Sequence, residues 1–184
     1  MRRNCLLAFV LCVVAVNGAG AQAPAPGTPV VGDIAPDFTL PIATMEGAAV
    51  SPITLSSLKG KTVVLAFYPR ARSSGCTIQM KAYRDQYATL FGGGKDVVLL
   101  AISTDSIPAL ASWAGEEKFP FRFVSDVDGV AGGLYGTLMN GRNIESRVLF
   151  VIGPDQRIRT IMRPFREIDA TAYTDLRAAI EKAR

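Results

Sequence analysis

Apolar positions along the chain follow two rhythms, one typical of strands and one of helices. Residues 62–68, TVVLAFY, are a continuous apolar run rich in β-branched and aromatic side chains. Such a run reads as a central strand covered on both faces. DVVLLAIS at 96–103 reads the same way, and DFTL at 37–40 reads as a short strand. LSSLKGK at 55–61 is expected as a turn. RVLFVIG (147–153) and RIRTIM (157–162) flank Pro154-Asp155 and predict a hairpin.

Between these runs the spacing turns helical. From Cys76 onward, Met80, Tyr83, Tyr87, Leu90 and Phe91 fall on one helical face. Gly92-Gly93-Gly94 ends that helix, because glycine tolerates the positive φ at which chains leave helices. Residues 107–119 predict a second helix with Pro108 in its first turn. Residues 169–182 predict a closing helix capped by Asp169 or Thr171. PRARSSG at 69–75 is the loop between the first long strand and the first helix. The order predicts one α/β domain with a central mixed sheet flanked by helices.

The N-terminus departs from this pattern. Arg2 and Arg3 precede an apolar run from Cys5 to Val16, followed by small residues ending in Ala19-Gly20-Ala21. That sequence of features predicts a secretory signal peptide over 1–21, cleaved after Ala21. The run is too short to span a bilayer comfortably, and no later run is long enough. Leu11 before Cys12 does not fit a lipoprotein anchor, so the mature form is expected without one, periplasmic or secreted. Residues 22–36, QAPAPGTPVVGDIAP, read as a Pro-rich linker leading into a domain over 37–184.

Removing 21 of the 184 residues leaves 163 and removes Cys5 and Cys12, so Cys76 becomes the only cysteine. The formal charge of +4 falls to about +2, because Arg2 and Arg3 leave without an acid. The remaining basic residues are scattered, which argues against nucleic acid as a partner. A single cysteine cannot staple the fold. The chain has no histidine, which excludes Ser-His and Cys-His nucleophile pairs and the usual zinc and copper sites.

Cys76 stands where a strand passes through a loop into a helix. A helix N-terminus favours an anion and hence a thiolate, and Arg70 and Arg72 in the loop add positive charge. Pro69 places a rigid bend four residues before the Ser73 hydroxyl, which precedes the thiol by three. Such a hydroxyl can bond to a thiolate or to a bound oxygen substrate. Position alone leaves a small buried core residue as an equal reading of Cys76.

The stretch FYPRARSSGCTIQMKAYRD (67–85) resembles the active-site segment of the peroxiredoxins, Pro-x-x-x-Thr/Ser-x-x-Cys, with the pattern on Pro69, Ser73 and Cys76. GDIAPDFTL, LSSLKGKTVVLAFYP, VVLLAISTDS, FPFRFVSDVDGVAGGLYG and RVLFVIGPDQRIR resemble the family's other segments, in its order. The resemblance implies a thioredoxin-like fold and a thiol peroxidase acting through Cys76. It also implies that Arg147 opens the strand of the family's catalytic arginine, although Leu149 stands where threonine is usual. On sequence alone Arg147 is a solvated strand-end charge.

Within the family, the chain resembles the bacterioferritin-comigratory or Q-type group. Its members often carry a resolving cysteine five residues after the peroxidatic one, where this chain has Lys81. The resemblance therefore implies a one-cysteine mechanism. It implies a hydroperoxide substrate and resolution by an external thiol, whether thioredoxin-like, glutaredoxin-like, small or on another copy of the same protein. No cofactor is implied. A copper-binding or redox-partner protein on the same fold is the alternative, with Cys76 and Met80 as soft ligands one turn apart. A disulfide oxidoreductase needs Cys-x-x-Cys, and Gln79 holds the second position.

Overall fold

The computed structural model describes residues 27–49 and 51–184, so the predicted signal segment lies outside the described residues. Chain order begins with β1 (Thr39–Leu40), β2 (Ile42–Thr44), β3 (Gly47–Ala48), β4 (Ile53–Thr54) and a 3-10 turn at Leu55–Leu58. It continues through β5 (Thr62–Phe67), α1 (Ser74–Asp85), α2 (Tyr87–Phe91) and a 3-10 turn at Gly92–Gly94. Then come β6 (Val97–Ser103), α3 (Ile107–Glu117), β7 (Arg122–Ser125) and α4 (Val130–Tyr135). The last elements are β8 (Val148–Ile152), β9 (Ile158–Met162) and α5 (Ala170–Ala183).

Seven strands make one mixed sheet in the order β3-β2-β7-β6-β5-β8-β9, while β1 pairs with β4 apart from it. β5 runs parallel to β6 and antiparallel to β8. Every residue of β5, β6 and β8 is buried, as their unbroken apolar runs require. The two-residue period divides β5 between two apolar clusters. Val64 and Ala66 join Cys76, Met80, Tyr83, Trp113 and Leu176 from α1, α3 and α5. Val63, Leu65 and Phe67 join Phe38, Leu55 and Tyr135 from the N-terminal segment and α4. The expected α/β architecture, a mixed sheet flanked by helices, is the one observed.

Several details depart from expectation. The helix predicted from Cys76 begins at Ser74, which places the thiol inside its first turn, and it breaks at Gln86. The break brings Phe91 edge-on to Tyr83 at 5.5 Å between ring centroids. Gly92 then ends α2 at φ 56°. The later part of the stretch read as a linker is docked on the fold. Gly32 N–H donates to the Ile158 carbonyl (2.8 Å), Ala35 N–H donates to that of Gln156 (2.9 Å), and Ala35 is buried. Its extended backbone finds partners at the start of β9 instead of water.

Candidate active site

β5 and β8 pair antiparallel with Phe67 opposite Val148. The chain therefore leaves β5 toward Pro69 at the same end of the sheet where Arg147 leads into β8. Register alone thus brings the loop before Cys76 and Arg147 together. The loop is held from the connection between β6 and α3, since Ala71 N–H donates to Asp105 Oδ2 at 2.7 Å. Pro69 is half-buried at the loop's start.

Ser73 takes the N-cap position of α1 in an extended conformation, yet its side chain makes no cap bond. Its hydroxyl donates to the Arg70 carbonyl at 3.0 Å, which tightens the turn ahead of the helix. Arg72 was expected to add positive potential to the thiol. It has instead φ 64°, and its guanidinium meets both carboxylate oxygens of Glu116 (2.5 and 2.8 Å) and Ser112 Oγ (2.9 Å) on α3. Those bonds hold the Glu116 carboxyl down at about 2, so the Arg72 charge is neutralised.

Cys76 is the third residue of α1 and fully buried. Arg147 Nη2 lies 3.5 Å from its Sγ. Arg147 Nη1 donates to Gln79 Oε1, and Nε lies 3.1 Å from Glu167 Oε2. Each guanidinium nitrogen has its own partner, which fixes the planar group in one orientation. Gln79 Nε2 in turn donates to the Tyr83 hydroxyl at 2.8 Å. Burial pushes the Tyr83 phenol well above its ordinary value, so it stays neutral at physiological pH. Its ring also packs on Phe91, Phe121, Phe165 and Tyr173, and losing such a ring costs about 3–5 kcal/mol.

Two of these partners carried no sequence expectation as site residues. Gln79 lies three residues after Cys76, one turn along α1, a spacing that signals shared facing. Glu167 follows β9, and nothing local in the sequence points to it. Gly75 explains how the carboxylate comes so near: a Cβ there would collide with Glu167 Oε1 and lie 3.1 Å from Arg147 Nη2. Met80 is fully buried within the apolar cluster. A guanidinium and the first turn of a helix converge on one sulfur, an arrangement able to stabilise negative charge there or on an adjacent oxygen.

Residues 31–161 match the AhpC/TSA family. The chain belongs to this family, the peroxiredoxins. It is 35% identical to peroxiredoxin Bcp of Escherichia coli (strain K12) over 144 residues, covering 73% of this chain and 86% of that protein. It is 38% identical to the chloroplastic peroxiredoxin Q of Sedum lineare over 148 residues, covering 76% and 74%. Among solved structures, peroxidoxin BcpB from Mycobacterium tuberculosis superposes with a TM-score of 0.71 at 28% identity, covering 84% of this chain and 97% of that one. The fold is that of the thioredoxin-like peroxiredoxins, and the activity class is a thiol peroxidase that acts on hydroperoxides with a thiol reductant.

Proposed function

We propose that Cys76 is the peroxidatic cysteine of an exported, one-cysteine peroxiredoxin. The observation that carries the reading is the approach of Arg147 Nη2 to Cys76 Sγ inside the first turn of α1. In this reading the thiolate attacks the terminal oxygen of a hydroperoxide. The S–O bond forms as the O–O bond breaks, sulfur is oxidised to sulfenic acid, and the leaving oxygen takes a proton to become water or an alcohol. Arg147 and the helix N–H groups hold the peroxide and stabilise the charge that develops on the leaving oxygen. Pro69 and Ser73 shape the turn that presents the helix.

Resolution belongs to a second molecule. Cys76 is the sole cysteine among the described residues, and Lys81 stands five positions on. An external thiol condenses with the sulfenic acid, releasing water and leaving a mixed disulfide, and a second thiol restores Cys76. Export rests on the N-terminal charge and apolar run, and N-terminal sequencing of protein from the native host is expected to begin at Gln22. Peroxide consumption by the purified protein tests the mechanism. Without added thiol it is expected to stop after the one equivalent that forms the sulfenic acid and the few that overoxidation takes up, and sustained turnover without any reductant contradicts it.

A further inference from the structure

The Arg147–Glu167 pair links the buried thiol to the surface. Cys76 has no exposed surface, the Arg147 side chain is 13% exposed and that of Glu167 is 21% exposed. One carboxylate oxygen of Glu167 pairs with Nε of the guanidinium whose Nη2 approaches the sulfur. The other reaches over Gly75, where a Cβ would collide with it and would lie 3.1 Å from Arg147 Nη2. The carboxylate thus reaches the residue just before the thiol.

The segment that carries it is secured on both sides. Phe165 N–H donates to the Arg147 carbonyl (3.0 Å), and the Tyr173 hydroxyl of α5 donates to the Glu167 carbonyl (2.8 Å). Glu167 follows the family match, which ends at residue 161.

A lone, partly exposed arginine beside the thiol would draw anions of every kind toward it. Pairing it with a carboxylate offsets that attraction, and the carboxylate, the more exposed of the two groups, presents its own charge outward. Hydrogen peroxide and alkyl hydroperoxides are neutral and are indifferent to that charge to first order. A hydroperoxide with a carboxylate close to its peroxide group is repelled.

We propose that Glu167 is a specificity-determining residue that turns anionic hydroperoxides away from the Cys76 site, an inference that rests on the assignment of Cys76 and Arg147 above. The probes are a short tertiary hydroperoxide bearing a carboxylate and its methyl ester, which differ only in charge. In Glu167→Gln, the ratio of the carboxylate rate to the ester rate is expected to rise about three- to tenfold, the size of one charge acting across roughly 4–6 Å at the dielectric of water. A change in the chemical step through Arg147 orientation is shared by both probes and cancels in the ratio, while the unpaired Arg147 charge acts on the carboxylate probe in the same direction as the loss of the Glu167 charge.

Glu167→Asp, which retains the charge, is expected to keep the wild-type ratio. The wild type supplies a second reading that needs no variant, since added salt screens the repulsion and is expected to raise its ratio. An unchanged ratio in Glu167→Gln, or a wild-type ratio insensitive to salt, overturns the proposal. Failure of the Cys76 assignment is visible separately, as consumption of the ester probe by Cys76→Ser at the wild-type rate.

Discussion

Arg147 Nη2 sits 3.5 Å from Cys76 Sγ although 71 positions separate the two residues in the chain. The pairing of β5 with β8 creates that relationship, and the partners of Arg147 keep it in place. Arg147→Ala removes a preorganised cationic donor, so peroxide reduction is expected to slow by about 10²–10³-fold. Arg147→Lys retains the charge but loses the planar fork that meets Cys76, Gln79 and Glu167 at once, and an intermediate rate is expected. Initial rates at matched folding, checked by circular dichroism, measure both. Equal rates for wild type and Arg147→Ala would remove Arg147 from the site.

Lys81 stands five residues after Cys76 on the same helix. Its Nζ lies 3.1 Å from Glu117 Oε1 on α3, a partly exposed pair of small energetic consequence. Residues five apart in an intact helix are separated by about 7.5 Å along its axis, beyond the roughly 7 Å Cα limit for a disulfide. In Lys81→Cys, a bond to Cys76 therefore requires the first turn of α1 to unwind after oxidation. The variant is expected to form that bond with one equivalent of peroxide and to resist overoxidation, while wild type proceeds to sulfinic acid in excess peroxide. Non-reducing peptide mapping reads the outcome, and two unlinked cysteines in the oxidised variant would show that the turn stays wound.

Glu145 gives the fold a pH dependence of its own. It is fully buried; Thr137 Oγ1 donates to one carboxylate oxygen, and the other has no partner among the described residues. Burial first, and then the nearby Asp126, push its carboxyl up to about 8 from an ordinary 4.5. The folded state therefore keeps a proton that the unfolded state has already released. Stability is unaffected below about 4.5 and falls as pH rises from there through about 8. Glu145→Gln keeps an acceptor for Thr137 without a titrating proton, so its thermal midpoint is expected to decline less across that window. Parallel pH profiles for the two proteins would contradict the assignment.

Much of this architecture is legible in the sequence because burial on two faces leaves an unmistakable mark. The stretches at 63–68 and 97–102 are apolar throughout, and they form β5 and β6, strands buried along their whole length. β7 and α4 escaped notice for physical reasons. β7 spans four residues, too few for a period to register. α4 contains Gly132 and Gly133, which disfavour a helix, and it is held by the Asp126 carboxylate accepting from Ala131 N–H (3.1 Å) and Gly132 N–H (2.7 Å).

The candidate site divides along the same line. Pro69, Ser73 and Cys76 lie within one segment, so a motif finds them. Gln79 follows from helical spacing. Arg147 needed the resemblance, since a strand-end arginine is ordinarily solvated. Glu167 arrives only through tertiary packing over a glycine, which no local pattern encodes.

Intact-mass analysis of the purified protein after one equivalent of hydrogen peroxide tests the central claim most directly. The account predicts one added oxygen, about 16 Da, located on Cys76, and its loss on adding a thiol. Cys76→Ser is expected to take up no oxygen at that position and to consume no peroxide. Wild-type protein left unmodified at Cys76, or peroxide consumption by Cys76→Ser at the wild-type rate, would contradict the account.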